Sequence, residues 1–527
     1  MTTVREITFE LLRLHGLTTI FGNPGSNELP FLGGMPDDFR YILGLHEGAV
    51  LAMADGYAQA RDEAVLVNLH AAAGTGNAMG VLANSVYTHS PLIIMAGQQV
   101  RSTVGQETFL SIVEPEALTR PLVKWSSQPA CAEDVPRAIS EAIHIASLPA
   151  KGPVFIAVPY DDWSAEASDE SEHLLQRSTS AGGCLGTEQM RALVSAIDAA
   201  SSPVIVLGPD VDADNANGDA VRLSEALEAP VWLAPSPPRL PFPTRHPSFR
   251  GPLPASIRGV SDLLDGHDLI LVIGGPVFRY HQYEPGAYLP IGARLIHVTS
   301  DPGEAARAPM GQAYVASVAD TVKRLADSVA RRNGPPLPPL AEFARPAVST
   351  DLIEPAEVFA RLRSSAPVDA VWVNESTSTG SQWWEQLDAR EQGSMFIAAG
   401  GGLGFGLPAA VGAQLAHPDR QVVGIIGDGS ANYGITALWT AAHYNIPVII
   451  VLMKNGTYGA LRWFADVLEV EKVPPMDVCD IDFVSIARGY GVEAVAVKTI
   501  DDFSAAFEAA LAAGVPTLIE VPTALTI

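Results

Sequence analysis

Short runs of apolar residues alternate with longer helical stretches along the whole chain. The runs are 18–21, 41–45, 64–69 and 92–96 in the first third, 204–208, 231–234, 269–274 and 295–299 in the middle, and 371–373, 421–427, 446–453 and 517–521 in the last third. Apolar runs of this length with helices between them are typical of buried strands in parallel sheets. The pattern predicts an α/β protein.

Two breaks divide the alternating pattern into three units. Residues 173–187 are rich in Ser, Gly and Gln, and residues 333–339 read Asn-Gly-Pro-Pro-Leu-Pro-Pro, which is typical of a linker. We therefore predict three doubly wound α/β domains with mainly parallel sheets, at residues 1–180, 181–340 and 341–527. A length of 527 residues suits three domains of ordinary size. No short-period repeat is present, which excludes solenoids and propellers.

Composition narrows the classes of partner. The chain has 33 basic and 59 acidic residues, and its formal charge of -26 argues against nucleic acid or an anionic membrane surface. Cys131, Cys184 and Cys479 have no metal-type spacing and are expected to be free thiols in a reducing compartment, the cytoplasm. Residues 1–16 predict an amphipathic helix rather than a signal peptide. No uncharged apolar run is long enough to predict a transmembrane span.

Oxygen-bearing residues follow two of the predicted strands in the last unit. Asp428 comes after the run 421–427, and Asn455 and Thr457 come after the run 446–453. The carboxyl ends of parallel strands meet at one edge of a sheet, where ligands bind. A carboxylate, an amide oxygen and a backbone or hydroxyl oxygen form a ligand set that suits Mg²⁺ or Ca²⁺.

Glycines beside Asp428 point to a phosphate-containing ligand. Gly427 and Gly429 allow the backbone to approach a diphosphate closely, and a helix expected to start near Ser430 would present its N-terminus to that charge. The alternative is a strand-to-helix turn and an Asn-Gly turn that bind nothing. The Gly-Asp-Gly motif followed 27 residues later by Asn-Gly favours a metal and diphosphate site.

Four polar clusters follow strands of the first unit in the same way. They are residues 23–28, His46-Glu47, His70 and residues 97–99. We expect these clusters to share one edge of the sheet, as the ligands in the last unit do.

These motifs together resemble the thiamine diphosphate-dependent 2-oxo acid decarboxylases nearly from end to end. The resemblance is carried by residues 22–26, 46–48, 399–406 and 427–429, and more specifically by 21–31, 74–80, 277–283, 374–379 and 456–464. The family usually has Asn-Asn where this chain has Lys454-Asn455, at the position not expected to contact the metal. The resemblance implies a pyrimidine-binding first domain, a middle domain that holds a second nucleotide in some relatives, and a diphosphate-binding last domain. It also implies a homotetramer with active sites between subunits.

The resemblance further implies thiamine diphosphate and Mg²⁺, or Ca²⁺, as cofactors and a small 2-oxo acid as substrate. The cofactor works through a carbanion at C2 of its thiazolium ring, which attacks the keto carbon and accepts the electrons released with CO₂. None of the twelve histidines has a histidine neighbour, whereas pyruvate decarboxylases share an adjacent His-His pair. This absence points away from pyruvate and indole-type decarboxylases. The resemblance implies an aromatic 2-oxo acid as substrate, benzoylformate, converted to benzaldehyde and CO₂ with carboligation as a side reaction.

By resemblance, Glu47 hydrogen-bonds the pyrimidine ring and favours the tautomer that takes the C2 proton. The alternative is a surface glutamate in the first turn of a helix. Ser26 is expected to bind the substrate carboxylate, and its alternative role is a helix N-cap before residues 27–29. His70 and His281 match the family's proton carriers, a role that suits an imidazole near neutral pH. The alternative for each histidine is a structural role.

The remaining site residues are also implied by the resemblance. Leu403 and the backbone of Gly401 are expected to bend the cofactor, although residues 399–407 also fit a close helix contact. The expected cofactor-binding residues are Glu47, Thr377, Gly401, Leu403, Gly427, Asp428, Gly429, Ser430, Asn455 and Tyr458, of which Asp428 and Asn455, with Thr457, would bind the metal. The expected substrate pocket contains Ser26, Leu110, Thr377, Leu461 and Phe464, with Phe109 and Ile397 as further candidates, and ordinary core packing is the alternative for its apolar members.

Two other functions remain open from the sequence. An acetolactate synthase-like carboligase is one, although such relatives usually lack a histidine at position 70 and often hold flavin in the middle domain. A family member that binds ligand without catalysis is the other. Loss of Glu47, Asp428 or Asn455 would favour the second alternative, and all three residues are present.

Overall fold

Three parallel sheets, each of six strands, form the framework of the protein. The computed structural model describes residues 2–106, 108–332, 337, 339–340, 342–347 and 352–525. Every strand pair within these sheets is parallel, and helices cover the sheet faces. The predicted α/β class with three doubly wound domains is confirmed. Most of the predicted Pro-rich linker, residues 333–336 and 338, lies outside the described residues.

The first sheet has the strand order β2-β1-β3-β4-β6-β5. Its strands are β1 (Thr19–Asn23), β2 (Arg40–Leu43), β3 (Val65–Leu69), β4 (Leu92–Gln98), β5 (Trp125–Ser127) and β6 (Val154–Pro159). Its α-helices are α1 (Val4–Leu14), α2 (Leu29–Leu32), α3 (Glu47–Arg61), α4 (Ala71–Tyr87), α5 (Pro115–Leu118) and α6 (Val135–Ser147).

The second sheet has the order β12-β11-β10-β7-β8-β9. Its strands are β7 (Pro203–Leu207), β8 (Val231–Leu233), β9 (Phe249–Pro252), β10 (Leu269–Ile273), β11 (Arg294–Thr299) and β12 (Gln312–Val315). Its α-helices are α7 (Thr187–Asp198), α8 (Asp210–Ala213), α9 (Asn217–Leu227), α10 (Ile257–Leu263), α11 (Pro302–Arg307) and α12 (Val318–Ser328).

The third sheet has the order β14-β13-β15-β16-β18-β17. Its strands are β13 (Val371–Glu375), β14 (Met395–Ile397), β15 (Val422–Gly427), β16 (Ile449–Lys454), β17 (Glu493–Ala496) and β18 (Thr517–Pro522). Its α-helices are α13 (Pro355–Ser365), α14 (Gly380–Gln386), α15 (Gly406–Ala416), α16 (Asp428–Gly434), α17 (Ala437–His443), α18 (Gly459–Val467), α19 (Phe483–Gly489) and α20 (Ile500–Ala513).

The apolar pattern predicted four strands in each domain, and each sheet has two more. Five of the six missed strands, β5, β9, β12, β14 and β17, lie at sheet edges. These edge strands have only three or four residues each, too few for their apolar positions to be recognised as separate strands. The sixth, β6, is buried at every position.

Helices α3 and α15 join the first and last domains through small residues. A side chain at Gly56 would overlap the backbone of Ala409, and one at Gly412 would overlap the backbone of Met53. The close helix contact considered for residues 399–407 is also present, because a side chain at Gly402 would come within 2.7 Å of the Gly80 carbonyl on α4.

A buried histidine joins the first and middle domains. His89, just after α4, places Nδ1 2.9 Å from Asp210 Oδ1 and Nε2 3.8 Å from Asp301 Oδ2. Burial alone would lower the pKa of His89, but Asp210 and Asp301 raise it to about 10. His89 in turn lowers the pKa of Asp301 to about 2.

Among the described residues, no helix has the length and apolarity needed to cross a bilayer.

Candidate active site

The carboxylate of Glu28 organises the polar clusters at the edge of the first sheet. Oε2 accepts hydrogen bonds from the Gly25 amide (2.8 Å) and lies 2.8 Å from His70 Nδ1. Oε1 accepts from the amides of Ala71 (3.2 Å) and Gly97 (2.7 Å). Three of the four predicted clusters are therefore held by one buried side chain.

Glu28 was not assigned a role from the sequence. The available signal was an acidic residue that the fold buries almost completely, with 1% of its surface exposed. A buried carboxylate requires several hydrogen-bond donors, and three backbone amides and an imidazole provide them here. The bond to Nδ1 orients the His70 ring and leaves Nε2 available for proton transfer.

Ser26 is exposed on the loop that Glu28 anchors. The N-cap alternative for Ser26 is wrong, because α2 begins at Leu29 and Glu28 occupies the N-cap position without a side-chain capping bond. Asn27 Nδ2 donates to the Leu110 carbonyl at 3.3 Å, so the loop that contains Phe109 and Leu110 lies beside the Ser26 loop. Phe109 is 87% exposed.

Glu47 is the first residue of α3 and is half-buried. Asn77 donates from Nδ2 to Glu47 Oε2 at 3.0 Å, and a side chain at Gly74 would come within 2.8 Å of Oε1. The first-turn position considered from the sequence is therefore compatible with a carboxylate that faces the start of α4.

In the last domain, Asp428 follows β15 and begins α16, two residues before the predicted start at Ser430. Its Oδ1 accepts from the Gly429 amide at 2.9 Å, and its Oδ2 accepts from the Gly456 amide at 2.7 Å. Burial raises the pKa of Asp428, and the amides of Gly456 and Gly429 oppose that rise. The two predicted motifs are therefore in direct contact.

Asn455 and Thr457 lie beside Asp428 on the loop after β16. Asn455 Oδ1 accepts from the Thr457 amide at 3.0 Å. The Thr457 hydroxyl donates to the Met476 carbonyl and accepts from Arg462 Nε at 2.8 Å. Because the hydroxyl is engaged on both sides, the backbone carbonyl is the oxygen of Thr457 that suits a metal.

Lys454 departs from the family pattern and points away from this loop. Its Nζ donates to Glu520 Oε1 (3.0 Å) and to the Ile481 carbonyl (2.8 Å). The lysine is therefore held by β18 and the segment before α19.

The turn from Gly401 to Gly406 lies between the last sheet and α4. Asn84 Oδ1 accepts from the Gly400 amide at 2.9 Å, and Asn84 Nδ2 donates to the Gly402 carbonyl at 2.9 Å. Gly401 and Gly404 have φ values of +74° and +98°, which favour glycine. This turn presents Leu403, which is half-buried.

The middle domain reaches the last domain through His281. The His281 and Phe464 rings meet edge to face with centroids 4.5 Å apart. Phe464 and Leu461 lie on α18, which Tyr458 precedes, and Leu461 is 51% exposed.

Thr377 begins a short 3-10 turn after β13, where Ser378 Oγ accepts from Asn455 Nδ2 at 3.2 Å. Ile397 ends β14.

The residues present fit a diphosphate held with a hard cation. Asp428, Asn455 and the Thr457 carbonyl supply only oxygen, the donor type that Mg²⁺ prefers. A side chain at Gly429 would come within 2.7 Å of the Tyr458 ring, so a glycine is favoured here. The backbone at the start of α16 is therefore not covered by a side chain at this position. The edge of the first sheet adds the oriented imidazole of His70 and the carboxylates of Glu28 and Glu47. This combination is that of an enzyme using a phosphorylated organic cofactor.

Comparison with known proteins identifies that class. The thiamine pyrophosphate enzyme N-terminal TPP binding domain matches residues 2–117, the central domain matches residues 190–325, and the C-terminal TPP binding domain matches residues 377–521. The chain belongs to the thiamine pyrophosphate enzymes.

Individual relatives are similar over their full length. Benzoylformate decarboxylase of Pseudomonas aeruginosa is 58% identical over an alignment of 529 positions, which covers 99% of each chain. The structure of a thiamine diphosphate-dependent 4-hydroxybenzoylformate decarboxylase from Rhodococcus jostii RHA1 is 63% identical, with a TM-score of 0.99 and full coverage of both chains. Benzoylformate decarboxylase from Polynucleobacter necessarius is 35% identical with a TM-score of 0.97, over 100% of this chain and 99% of that chain.

Proposed function

We propose that the protein catalyses the thiamine diphosphate-dependent, non-oxidative decarboxylation of an aromatic 2-oxo acid. Benzoylformate is the proposed substrate, benzaldehyde and CO₂ are the products, and carboligation is a side activity. The observation that carries this proposal is the Glu28–His70 pair beside Ser26, because an oriented imidazole next to a carboxylate-binding hydroxyl suits decarboxylation followed by protonation. The 58% and 63% identical relatives bear names of the same activity.

In this proposal, Asp428, Asn455 and the Thr457 carbonyl hold Mg²⁺, and the amides at the start of α16, with Ser430, receive the diphosphate. Ca²⁺ offers the same hard-cation chemistry. Bound thiamine diphosphate supplies a nucleophilic carbon and an acceptor for the electrons released with CO₂. Leu403 and the Gly401 backbone support its rings.

The polar residues of the first domain then move protons and bind substrate. Glu47 would exchange a proton with the pyrimidine ring of the bound cofactor, and Asn77 holds the Glu47 carboxylate in place. Ser26 donates a hydrogen bond to the substrate carboxylate. His70, through Nε2, and His281 deliver and remove protons at the reacting carbon and oxygen.

The apolar side chains that face this site assist loss of CO₂. Leu110, Leu461 and Phe464, with Phe109, exclude water from the substrate carboxylate, and a carboxylate moved out of water into a preorganised site decarboxylates more readily. The Phe464 ring also contacts the His281 ring. An aryl group on the substrate would pack against these same side chains.

We further propose a homotetramer with active sites at subunit interfaces. Large apolar side chains are exposed around the substrate-pocket residues, among them Phe109 (87%), Val113 (63%) and Leu468 (61%). A second copy of the chain would cover this apolar surface.

The proposed domain limits are 1–180, 181–340 and 341–527, and the proposed location is the cytoplasm.

A side-by-side assay tests the proposal. Purified protein, supplied with thiamine diphosphate and Mg²⁺, is assayed by stopped-flow or in a coupled assay with benzoylformate, 4-hydroxybenzoylformate, phenylpyruvate and pyruvate. We expect the highest kcat/KM with one of the two benzoylformates. Preferential formation of acetolactate from pyruvate, with flavin bound to the purified protein, would support the carboligase alternative instead.

A further inference from the structure

Glu375 lies at the end of β13 and has no role among the residues assigned so far. Its side chain is buried, with 3% of the residue exposed. Oε1 accepts hydrogen bonds from the amides of Gly404 (3.0 Å) and Phe405 (3.1 Å), and Oε2 accepts from the amide of Gly406 (3.0 Å). One carboxylate thus binds three consecutive amides at the start of α15.

Helix α15 has no cap of its own. The first amides of a helix lack partners within the helix, and Ser, Thr, Asp or Asn at the N-cap position usually satisfies one of them. Phe405 occupies the N-cap position here and forms no side-chain capping bond. Glu375 replaces the missing cap from a neighbouring strand, and its negative charge faces the positive end of the helix dipole.

The backbone of Glu375 binds the second cofactor loop. Its carbonyl accepts from Ser430 Oγ at 2.9 Å, and the same hydroxyl lies 3.0 Å from the Gly427 carbonyl. The side chain therefore fixes the turn that carries Leu403, and the carbonyl fixes the turn that carries Asp428. The two turns meet at one residue.

We propose that Glu375 is a positioning residue that sets the turn at Leu403 relative to the metal and diphosphate loop. The proposal rests on the function proposed above, in which Leu403 supports the cofactor rings and Asp428 and Ser430 hold its charged end. A displacement of about 1 Å in such a geometry slows a reaction roughly 100-fold. Glu375 acts through both turns and contacts no reacting atom.

The three amides require two acceptor oxygens at this position. In the described part of the chain, Glu375 forms no ion pair, and burial raises its pKa to about 7 despite the three amides that lower it. A glutamine at this position has one acceptor oxygen, and its NH₂ group would face an N–H donor. An aspartate keeps both oxygens but is shorter by one methylene group.

The test compares E375Q and E375D with wild type at saturating thiamine diphosphate and Mg²⁺. The measurements are kcat, substrate KM, the dissociation constant of thiamine diphosphate by fluorescence titration, and exchange of the bound cofactor's C2 proton with D₂O. For E375Q we expect kcat and the exchange rate to fall about 10- to 100-fold. Substrate KM should stay within a few-fold, and E375D should recover part of the loss. E385Q, which alters an exposed glutamate of α14, is the matched control.

Two results would overturn the proposal: wild-type exchange and kcat in E375Q at saturating cofactor, or no rescue by E375D. If E375Q does not fold, slowed exchange in E375D supports the proposal and wild-type exchange contradicts it. Amide hydrogen exchange over residues 398–410 of the cofactor-free protein tests the positioning role of Glu375 separately from the proposed function. Faster exchange in E375Q would show that Glu375 holds this turn in place, even if the wild-type protein binds no thiamine diphosphate.

Discussion

His70 Nδ1 and Glu28 Oε2 form a hydrogen bond of 2.8 Å. Glu28 is almost fully buried, and the His70 side chain is 21% exposed, so the carboxylate faces the interior and the imidazole faces the candidate site. A buried acceptor at Nδ1 places the exchangeable proton position at Nε2.

E28Q tests whether this orientation matters for catalysis. We expect kcat to fall about 100-fold, the usual scale for a misdirected general acid or base, and the pH profile of kcat to shift. Because Glu28 also binds backbone amides, a double-mutant cycle separates the two effects. If Glu28 acts through His70, E28Q/H70A is no slower than H70A. An additional 100-fold loss in the double variant would assign Glu28 a role independent of His70.

E47Q tests the proposed proton exchange with the cofactor. We expect fold and thiamine diphosphate affinity close to those of wild type and a kcat lower by at least about 100-fold, because an amide cannot exchange the proton. The readouts are circular dichroism, cofactor titration and steady-state kinetics.

N77A is the companion variant to E47Q. It removes the bond to Glu47 Oε2 but keeps the carboxylate, so we expect a smaller loss of kcat. Near wild-type turnover in E47Q would remove Glu47 from the mechanism.

The apolar pattern predicted the fold because strands buried on both faces carry continuous apolar runs, as 65–69 and 449–453 do. It also placed Asp428 and Asn455 at one sheet edge, since that edge follows from parallel pairing alone. The contacts of Glu28 and Glu375 depended on distant segments. Glu375 binds amides 29 to 31 positions away, and Glu28 binds one 69 positions away, so no local pattern contains the information.

D428N tests the proposed metal site. Loss of one carboxylate charge should raise the Mg²⁺ concentration needed for half-maximal cofactor binding about 10- to 100-fold. This concentration is measured by titrating Mg²⁺ while cofactor binding is followed by fluorescence.

K454N provides the contrast, because Lys454 lies next to Asn455 but bonds to Glu520 and Ile481. We expect Mg²⁺ affinity within about 3-fold of wild type, since the Lys454 ammonium is paired with Glu520 and contributes no ligand to the site. Equal effects of the two substitutions would argue against Asp428 as a ligand.

The contact between His89 and Asp210 predicts how stability depends on pH. The pKa of His89 is about 10 in the folded protein, above the ordinary histidine value of 6.5, so the folded state binds the proton more tightly. Its stabilising contribution is complete below pH 6.5 and is lost as the pH rises from 6.5 to 10. We therefore expect the thermal unfolding temperature to fall across this range.

H89N removes the titrating group while keeping a polar side chain. It should lower stability by roughly 3 kcal/mol near pH 6, because the buried carboxylate of Asp210 loses its cationic partner. The decline between pH 6.5 and 10 should become shallower than in wild type. His297 is the opposite case, since burial lowers its pKa and its contribution is lost as the pH falls through the region below 6.5. H297N should therefore leave the alkaline decline unchanged, and an equal flattening in both variants would contradict the assignment to His89.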